Sequence, residues 1–394
     1  MIVKNIIVKH FRSDIRIASS VVGKNGVPRE LYFDISGIDS KFITSDASCF
    51  IPALLPLAMS RGENLEIEGS VSPKILIGQQ KFQNQIAQWE KSLQKVAVKA
   101  DSSDWTMKKG KKIGLFFSGG VDSFYTFLKN RRYKKDTITD FILIWGFDIP
   151  LKDTKFFSLV KKRIINVSRL AGVNLIIVET NLKELASNQV EWQWQVGGSL
   201  AAIALILQNY FRVVYIASAT SKEDTAPFGS HPLLDPLWST QHLKIVHEAD
   251  GCSRLERVGS YIAKSPLALR NLRVCWKQVK GKYNCGRCEK CLRTMMELEL
   301  AGALSQAKTF KQPLDLHRVS KTVLPSSGLA FSEEVLQKLR QRNEHIEMQY
   351  ALDRQLEISK HLPIGYQMKK FVHTIDHKFN NDKIFWYLSA RGLI

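Results

Sequence analysis

Ile113-Gly114-Leu115-Phe116-Phe117-Ser118-Gly119-Gly120-Val121-Asp122-Ser123 joins a short apolar run to a glycine turn, after which Phe124, Tyr125, Phe127 and Leu128 recur at helical spacing. The apolar run, bounded by a lysine-rich loop, suits a buried strand, and the spacing after the glycines suits a helix packed on one side. Strand, tight turn and helix in that order make an anion site. Two glycines let the chain turn sharply and approach a ligand closely, while the unpaired N–H groups of the helix's first turn point at a phosphate. Ser118 and Ser123 add hydroxyl donors, with Phe117 and Val121 flanking them. Asp122 would repel a phosphate directly, so its useful role is to hold a divalent cation, Mg2+, that neutralises the polyphosphate. ATP is therefore the expected ligand. No lysine follows the glycines, which separates the loop from a Walker A loop. A plain helix N-cap also uses Ser, Gly and Asp, but here both glycines, both serines and the strand–helix context coincide.

Beyond the loop, apolar runs at 141–145, 174–178 and 213–217 alternate with helical patterns around 156–170 and 200–208. Alternation of this kind predicts an α/β fold, a doubly wound parallel sheet with ligands beyond the carboxyl ends of its strands. That rule gathers four points: the glycine loop, Trp145-Gly146-Phe147-Asp148, Thr180-Asn181, and Ser218-Ala219-Thr220. Asp148 either faces a ligand or caps the turn before Pro150. Trp192, Trp194, Gly197 and Gly198 open the next helix, where they either line an acceptor pocket or pack the core. His231 and Asp235 lie in a proline-interrupted loop, with His231 either a substrate contact or a solvated loop histidine.

A second constellation is Cys275, Cys285, Cys288 and Cys291. Four thiolates suit one tetrahedral zinc: a C-x2-C pair turns both sulfurs toward one ion, and a third cysteine three residues on reaches it from the start of the next helix. Lys277, Lys282, Arg287, Lys290 and Arg293 surround the set and favour deprotonated ligands. Disulfides and an iron–sulfur cluster are the alternatives. Cys49 and Cys252 read as ordinary buried thiols.

The residues 118–123 resemble those of the PP-loop ATP pyrophosphatases, and the combination with C-x9-C-x2-C-x2-C is similar to the 7-cyano-7-deazaguanine synthase group of that family. The likeness spans roughly residues 110 to 305 and includes Arg273-Val274-Cys275-Trp276 and Cys285-Gly286-Arg287-Cys288-Glu289-Lys290-Cys291-Leu292-Arg293. It implies an adenine nucleotide α-hydrolase-like (HUP/PP-loop) fold and cleavage of ATP to AMP and pyrophosphate as a substrate oxygen attacks the α-phosphate. It also implies a structural zinc on the four cysteines, adenine contacts at Gly146 and Phe147, and a phosphate-side lysine at Lys264. On this resemblance Asp122, Ser118 and Lys264 are the catalytic candidates. The chain lacks the Asn and the Gly-Tyr-Pro-Asp run of those synthases, so the resemblance implies adenylation and leaves the acceptor open.

At 394 residues and 44% hydrophobic content the chain can bury more than one core. The patterning predicts a small α+β domain over 1–100, the ATP-binding domain with its cysteine knuckle over 110–305, and a mostly helical extension over 306–394 that ends in a basic, aromatic stretch at 366–394. A polar linker runs over 99–112. No N-terminal signal peptide is expected, and the longest apolar run, 200–207, is too short to span a bilayer. Both point to the cytoplasm. A net charge of +20 and a pI near 9.6 favour polyanionic partners. Three functions follow: an ATP-dependent ligase that adenylates a carboxylate or related oxygen on a small molecule or protein terminus for attack by a nitrogen nucleophile; an RNA-modifying PP-loop enzyme of the tRNA-thiolase or lysidine type; and a nucleotide-binding module without catalysis.

Overall fold

The computed structural model describes residues 1–11, 14–44, 46–103, 110–218, 226–277, 279 and 281–361. The chain divides into two compact units, Met1–Arg257 with Asn271–Arg273, and Val258–Arg270 with Val274–Ile394.

The first unit is built on one ten-stranded sheet. Its strands are β1 (Ile2–Phe11), β2 (Asp14–Val22), β3 (Pro28–Ser36), β4 (Leu65–Val71), β5 (Val98–Ser102), β6 (Lys112–Phe116), β7 (Asp140–Trp145), β8 (Asn174–Thr180), β9 (Phe211–Ala217) and β10 (Lys244–Glu248). They lie side by side in the order β10-β9-β6-β7-β8-β3-β2-β1-β4-β5. The five strands from β10 to β8 pair in parallel, β3, β2 and β1 continue the sheet antiparallel, and β4 and β5 run parallel to β1.

The helices of this unit are α1 (Phe50–Arg61), α2 (Pro73–Trp89), α3 (Val121–Tyr133), α4 (Thr154–Ala171), α5 (Leu182–Ala186), α6 (Trp192–Ile206) and α7 (Arg254–Arg257). Strands covered on both faces read as continuous apolar runs, and β7 is such a strand. Phe141 stacks on Phe117 at 4.0 Å and meets Phe127 of α3 edge-on, whereas Ile142 joins the cluster that contains Ile203 and Leu205 of α6. The second half of helix α6 is apolar all round because it is covered all round: 201–206 are fully buried, and α1 lies against the helix, with Gln195 Nε2 donating to Ala53 O at 2.8 Å.

Residues 1–100, expected as a domain of their own, share this sheet. Phe33 pairs with Thr180 and Ile35 with Val178 across an antiparallel β3–β8 joint. Period-2 alternation shows which face of a strand is buried but carries no information about the strand beside it. Strand β10 has no counterpart among the predicted elements.

The second unit contains helix α8 (Pro266–Asn271) up to Arg270, then α9 (Glu289–Leu300), α10 (Leu316–Lys321), α11 (Ser326–Arg342) and α12 (Ile346–Lys360). The compact units part at Arg257/Val258, not near residue 305, because α9 packs on α11 and α11 on α12, which places the four cysteines with the C-terminal helices. The basic, aromatic stretch 366–394 lies outside the described residues. No helix among the described residues is long and apolar enough to cross a membrane.

Candidate functional site

In the parallel half, β6 is the point from which the strand order runs one way to β7 and β8 and the other way to β9 and β10. Open α/β sheets bind ligands at such a switch point, beyond the carboxyl ends of the strands. The glycine loop leaves β6 there. Phe117 N–H still donates to Ile142 O at 2.9 Å, Gly119 then takes φ +76°, and Gly120 in an extended conformation caps α3. A side chain at position 119 would be held in the left-handed region that glycine adopts without cost. Ser118 Oγ accepts from Gly120 N–H at 3.4 Å, and Ser123 Oγ donates to Gly120 O at 3.1 Å. No side-chain hydrogen bond caps α3. The N–H groups of its first turn therefore remain for an anion.

The loop opens on a cavity of about 230 Å³. Ser118, Asp122, Ser123, Asp148 and Arg273 form its polar lining, and Ile142, Ile144, Phe147, Trp192, Val196 and Ile216 are among its apolar lining. Phe147 and Trp192 meet edge-on at 4.8 Å. The chain reaches this position through Gly146, whose φ is +106° and where a Cβ would lie 1.9 Å from Thr180 O. Only glycine fits that bend, and the bend brings Phe147, Asp148 and Ile149 to the cavity.

The loop sits among guanidinium groups. Arg257 Nη1 donates to Asp122 Oδ1 at 3.1 Å and to Ser218 O at 2.6 Å, its Nε donates to Cys252 O at 3.1 Å, and its side chain is 1% exposed. Arg254 stands 3.8 Å from Asp122 Oδ2. Asp122, expected to hold a divalent cation, is thus already balanced by two arginines. Arg273 bonds the loop through its main chain, N–H to Gly119 O at 2.7 Å, and its Nη1 lies 3.4 Å from Ser118 O. Near Asp148, Lys183 donates to Phe147 O at 2.9 Å and stacks 4.8 Å from the Trp192 ring. Burial holds its pKa below the ordinary lysine value, with Asp148 acting in the opposite sense.

Of the residues singled out in the sequence, Phe117, Ser118, Gly120, Asp122, Ser123, Phe147, Asp148 and Trp192 meet at the cavity, while Gly119, Val121 and Gly146 shape its walls. Thr180 and Asn181 do not line it. Asn181 bridges to β3, accepting from Tyr32 N–H at 3.0 Å and donating to Glu30 O at 2.8 Å. Trp194 packs in the core. His231 is neither solvated nor at the cavity: it is 4% exposed, accepts from Leu233 N–H and sits edge-on to Trp89. Asp235 is fully buried between Ser230 Oγ and His247 Nδ1, each at 2.7 Å. Lys264 belongs to the second unit, where it is exposed. Ala219 and Thr220 lie outside the described residues. Arg254, Arg257 and Arg273 had no functional expectation attached, since basic residues recur throughout a chain of this charge.

In the second unit Cys275, Cys285, Cys288 and Cys291 are all buried, with their sulfurs within 4.8 Å of one another. None of the six cysteines is bridged in this structure. Cys285 and Cys291 sulfurs are 3.8 Å apart, and those of Cys275 and Cys288 3.9 Å. Four sulfurs each about 2.3 Å from one central ion are set about 3.8 Å apart, so the set can hold a single metal ion such as zinc. Local structure delivers this geometry. Cys288 is the N-cap of α9 and Cys291 lies in its first turn, Gly286 takes φ +67°, and Cys285 Sγ accepts N–H bonds from Arg287 at 3.4 Å and Cys288 at 3.2 Å. Asn284 Oδ1 ties in the first ligand, accepting from Val274 and Cys275 N–H at 2.9 and 3.2 Å. The crowded sulfurs share charge unequally: hydrogen bonds from Cys288 and Cys291 hold Cys275 well below the thiol range, and Cys275 in turn pushes Cys288 up to about 12. Of the basic residues around the set, Arg293 is engaged with Glu289 at 3.2 Å and stacks on Phe331.

Compared with protein-family models, curated proteins and solved structures, the chain matches none.

Proposed function

We propose that the chain is a PP-loop ATP-dependent enzyme that adenylates a carboxylate or related oxygen and passes the activated group to a nitrogen nucleophile. The observation that carries this reading is the uncapped N-terminus of α3, held behind a left-handed glycine at the sheet's switch point and opening on a cavity whose lining combines apolar and aromatic side chains with Ser118, Ser123, Arg273, Asp122 and Asp148. An apolar slot with aromatic residues suits a nucleobase, and amides beside the Arg273 guanidinium suit a polyphosphate.

In this reading the substrate oxygen attacks the α-phosphorus, the bond from that phosphorus to the bridging oxygen breaks, and pyrophosphate leaves with the electron pair. The amides of α3's first turn and the hydroxyls of Ser118 and Ser123 stabilise the charge that builds on the leaving group. The nitrogen nucleophile then attacks the activated carbon, AMP leaves, and the nitrogen gives up its proton to solvent. Asp122 aligns Arg257 and Arg254 on the loop. Those two arginines engage its carboxylate where a divalent cation would otherwise sit. Lys264 enters as a phosphate-side residue by the resemblance alone. Zinc on Cys275, Cys285, Cys288 and Cys291 would cross-link the chain, as closed four-thiolate sites do.

The net charge of +20 supports a second reading in which the acceptor is RNA, as in the tRNA-modifying PP-loop enzymes. One experiment separates them: the fate of labelled ATP with purified protein, with and without small-metabolite, peptide or RNA pools, against Asp122→Ala. AMP and pyrophosphate that require Asp122 support adenylation, and the stimulating pool names the acceptor class. Tight ATP binding without turnover in any pool replaces both readings with a non-catalytic nucleotide-binding module.

A further inference from the structure

We infer that Arg273 is the phosphate-binding cation of the cavity, occupying the role of the lysine that the glycine loop lacks; the inference rests on the ATP reading above. Three arginines approach the loop, and two are already answered. Arg257 is engaged by Asp122, Ser218 O and Cys252 O, and Arg254 by Asp122. Arg273 differs. It lines the cavity beside Ser118 and Gly120, its residue is 7% exposed, and its Nε is buried without a hydrogen-bond partner.

A guanidinium offers five N–H donors in a fixed fork. Among the described residues the side chain of Arg273 makes one hydrogen bond, the 3.4 Å contact to Ser118 O, and no ion pair. Phe156 stands 5.9 Å away, at the far limit of a cation–π contact. A buried guanidinium whose Nε has no acceptor is costly to keep, a cost reduced when an anion enters the cavity.

The backbone fixes where that anion sits. Arg273 N–H bonds Gly119 O at 2.7 Å, so the base of the side chain is tied to the turn that presents the amides of α3. Guanidinium and helix terminus therefore serve the same cavity, and a phosphate can accept from both, bidentately from the fork. A carboxylate shares the charge but offers fewer oxygens. The combination selects a di- or triphosphate.

The test is calorimetric binding of ATP, inorganic pyrophosphate and succinate to the full chain as wild type, Arg273→Gln and Arg273→Lys, with melting temperatures in parallel. Arg273→Gln keeps the main-chain bond to Gly119 and is expected to weaken ATP and pyrophosphate about tenfold to a hundredfold. Arg273→Lys, which keeps the charge, is expected to recover part of the loss. Equal affinity of wild type and Arg273→Gln for ATP overturns the inference and leaves the ATP reading standing. Equal losses in both variants with lowered melting temperatures overturn it in favour of a packing role, and wild-type binding of succinate but not pyrophosphate overturns it in favour of a carboxylate site. Wild type that binds neither ATP nor pyrophosphate overturns the ATP reading and the inference together.

Discussion

Asp122 and Arg257 meet at 3.1 Å, joining the first turn of α3 to the end of β9, because the same Arg257 Nη1 also donates to Ser218 O. The two sides of the switch point are thereby clamped by one guanidinium that is 1% exposed, against a carboxylate that is 24% exposed. Replacing Asp122 by Asn keeps the shape and removes the charge that answers Arg257. The expected loss of stability is about 1–3 kcal/mol, read as a lowered urea midpoint, together with loss of ATP turnover. An unchanged midpoint would show that Ser218 O and Cys252 O satisfy Arg257 without the carboxylate.

Gly146 is the position where the cavity wall tolerates least. Ala at 146 would need a left-handed φ of +106° and a Cβ 1.9 Å from Thr180 O. Backbone strain alone is worth roughly 1–3 kcal/mol, and the clash adds to it. Chemical denaturation of Gly146→Ala should show a drop of at least that size, with weaker ATP binding as Phe147 shifts.

For the cysteine set, purified protein should carry one zinc per chain by elemental analysis. Removal with a chelator, or Cys291→Ser, should lower the melting temperature of the second unit, since metal binding to a closed thiolate set contributes directly to folding. Iron with acid-labile sulfide in place of zinc would contradict the single-ion geometry.

The pair Lys129–Asp250 sets a pH dependence. Lys129 Nζ contacts Glu248 at 2.6 Å and also Asp250, which Tyr125 meets from the other side. Burial raises the Asp250 pKa, but the bonds from Lys129 and Tyr125 outweigh it and the net shift is downward. Its contribution is therefore present above pH 3.8 and lost as pH falls through the folded value. Burial lowers the Lys129 pKa, but the bonds to Asp250 and Glu248 outweigh it and the net shift is upward, so its contribution is complete below pH 10.5 and lost as pH rises through the folded value. Urea midpoints of wild type and Asp250→Asn should differ between about pH 5 and 9 and converge in acid; a gap that persists below the folded value would exclude the ion pair as its source.

The strand, glycine turn and helix at 113–128 were legible because local spacing encodes them, and so was the cysteine set, whose ligands lie within 17 residues of sequence from Cys275 to Cys291. The cavity's other walls were legible only as far as the rule for strand ends reached. It found Phe147 and Asp148 but also nominated Thr180 and Asn181, because it says where loops emerge and not which way they fold afterwards. The contacts of the arginines with the loop were invisible for a different reason. Arg257 meets Asp122 across 135 residues of chain, and Arg273 meets Ser118 across 155. No periodicity links positions so far apart. The β3–β8 joint is of the same kind, a pairing that alternation in 28–36 permits but does not specify.

That joint also has a meaning in time. Tyr32 and Glu179, which touch across it, are 147 residues apart, and at about 5–20 residues per second of synthesis the second strand follows the first by roughly 7–30 s. Through that interval the β3 edge of the nascent hairpin has its own backbone donors and acceptors uncovered, the condition under which strands recruit the wrong partner. Translation rate, and chaperones that shield a strand edge on the ribosome, should therefore affect the yield of this protein, as the stability of the finished sheet also does.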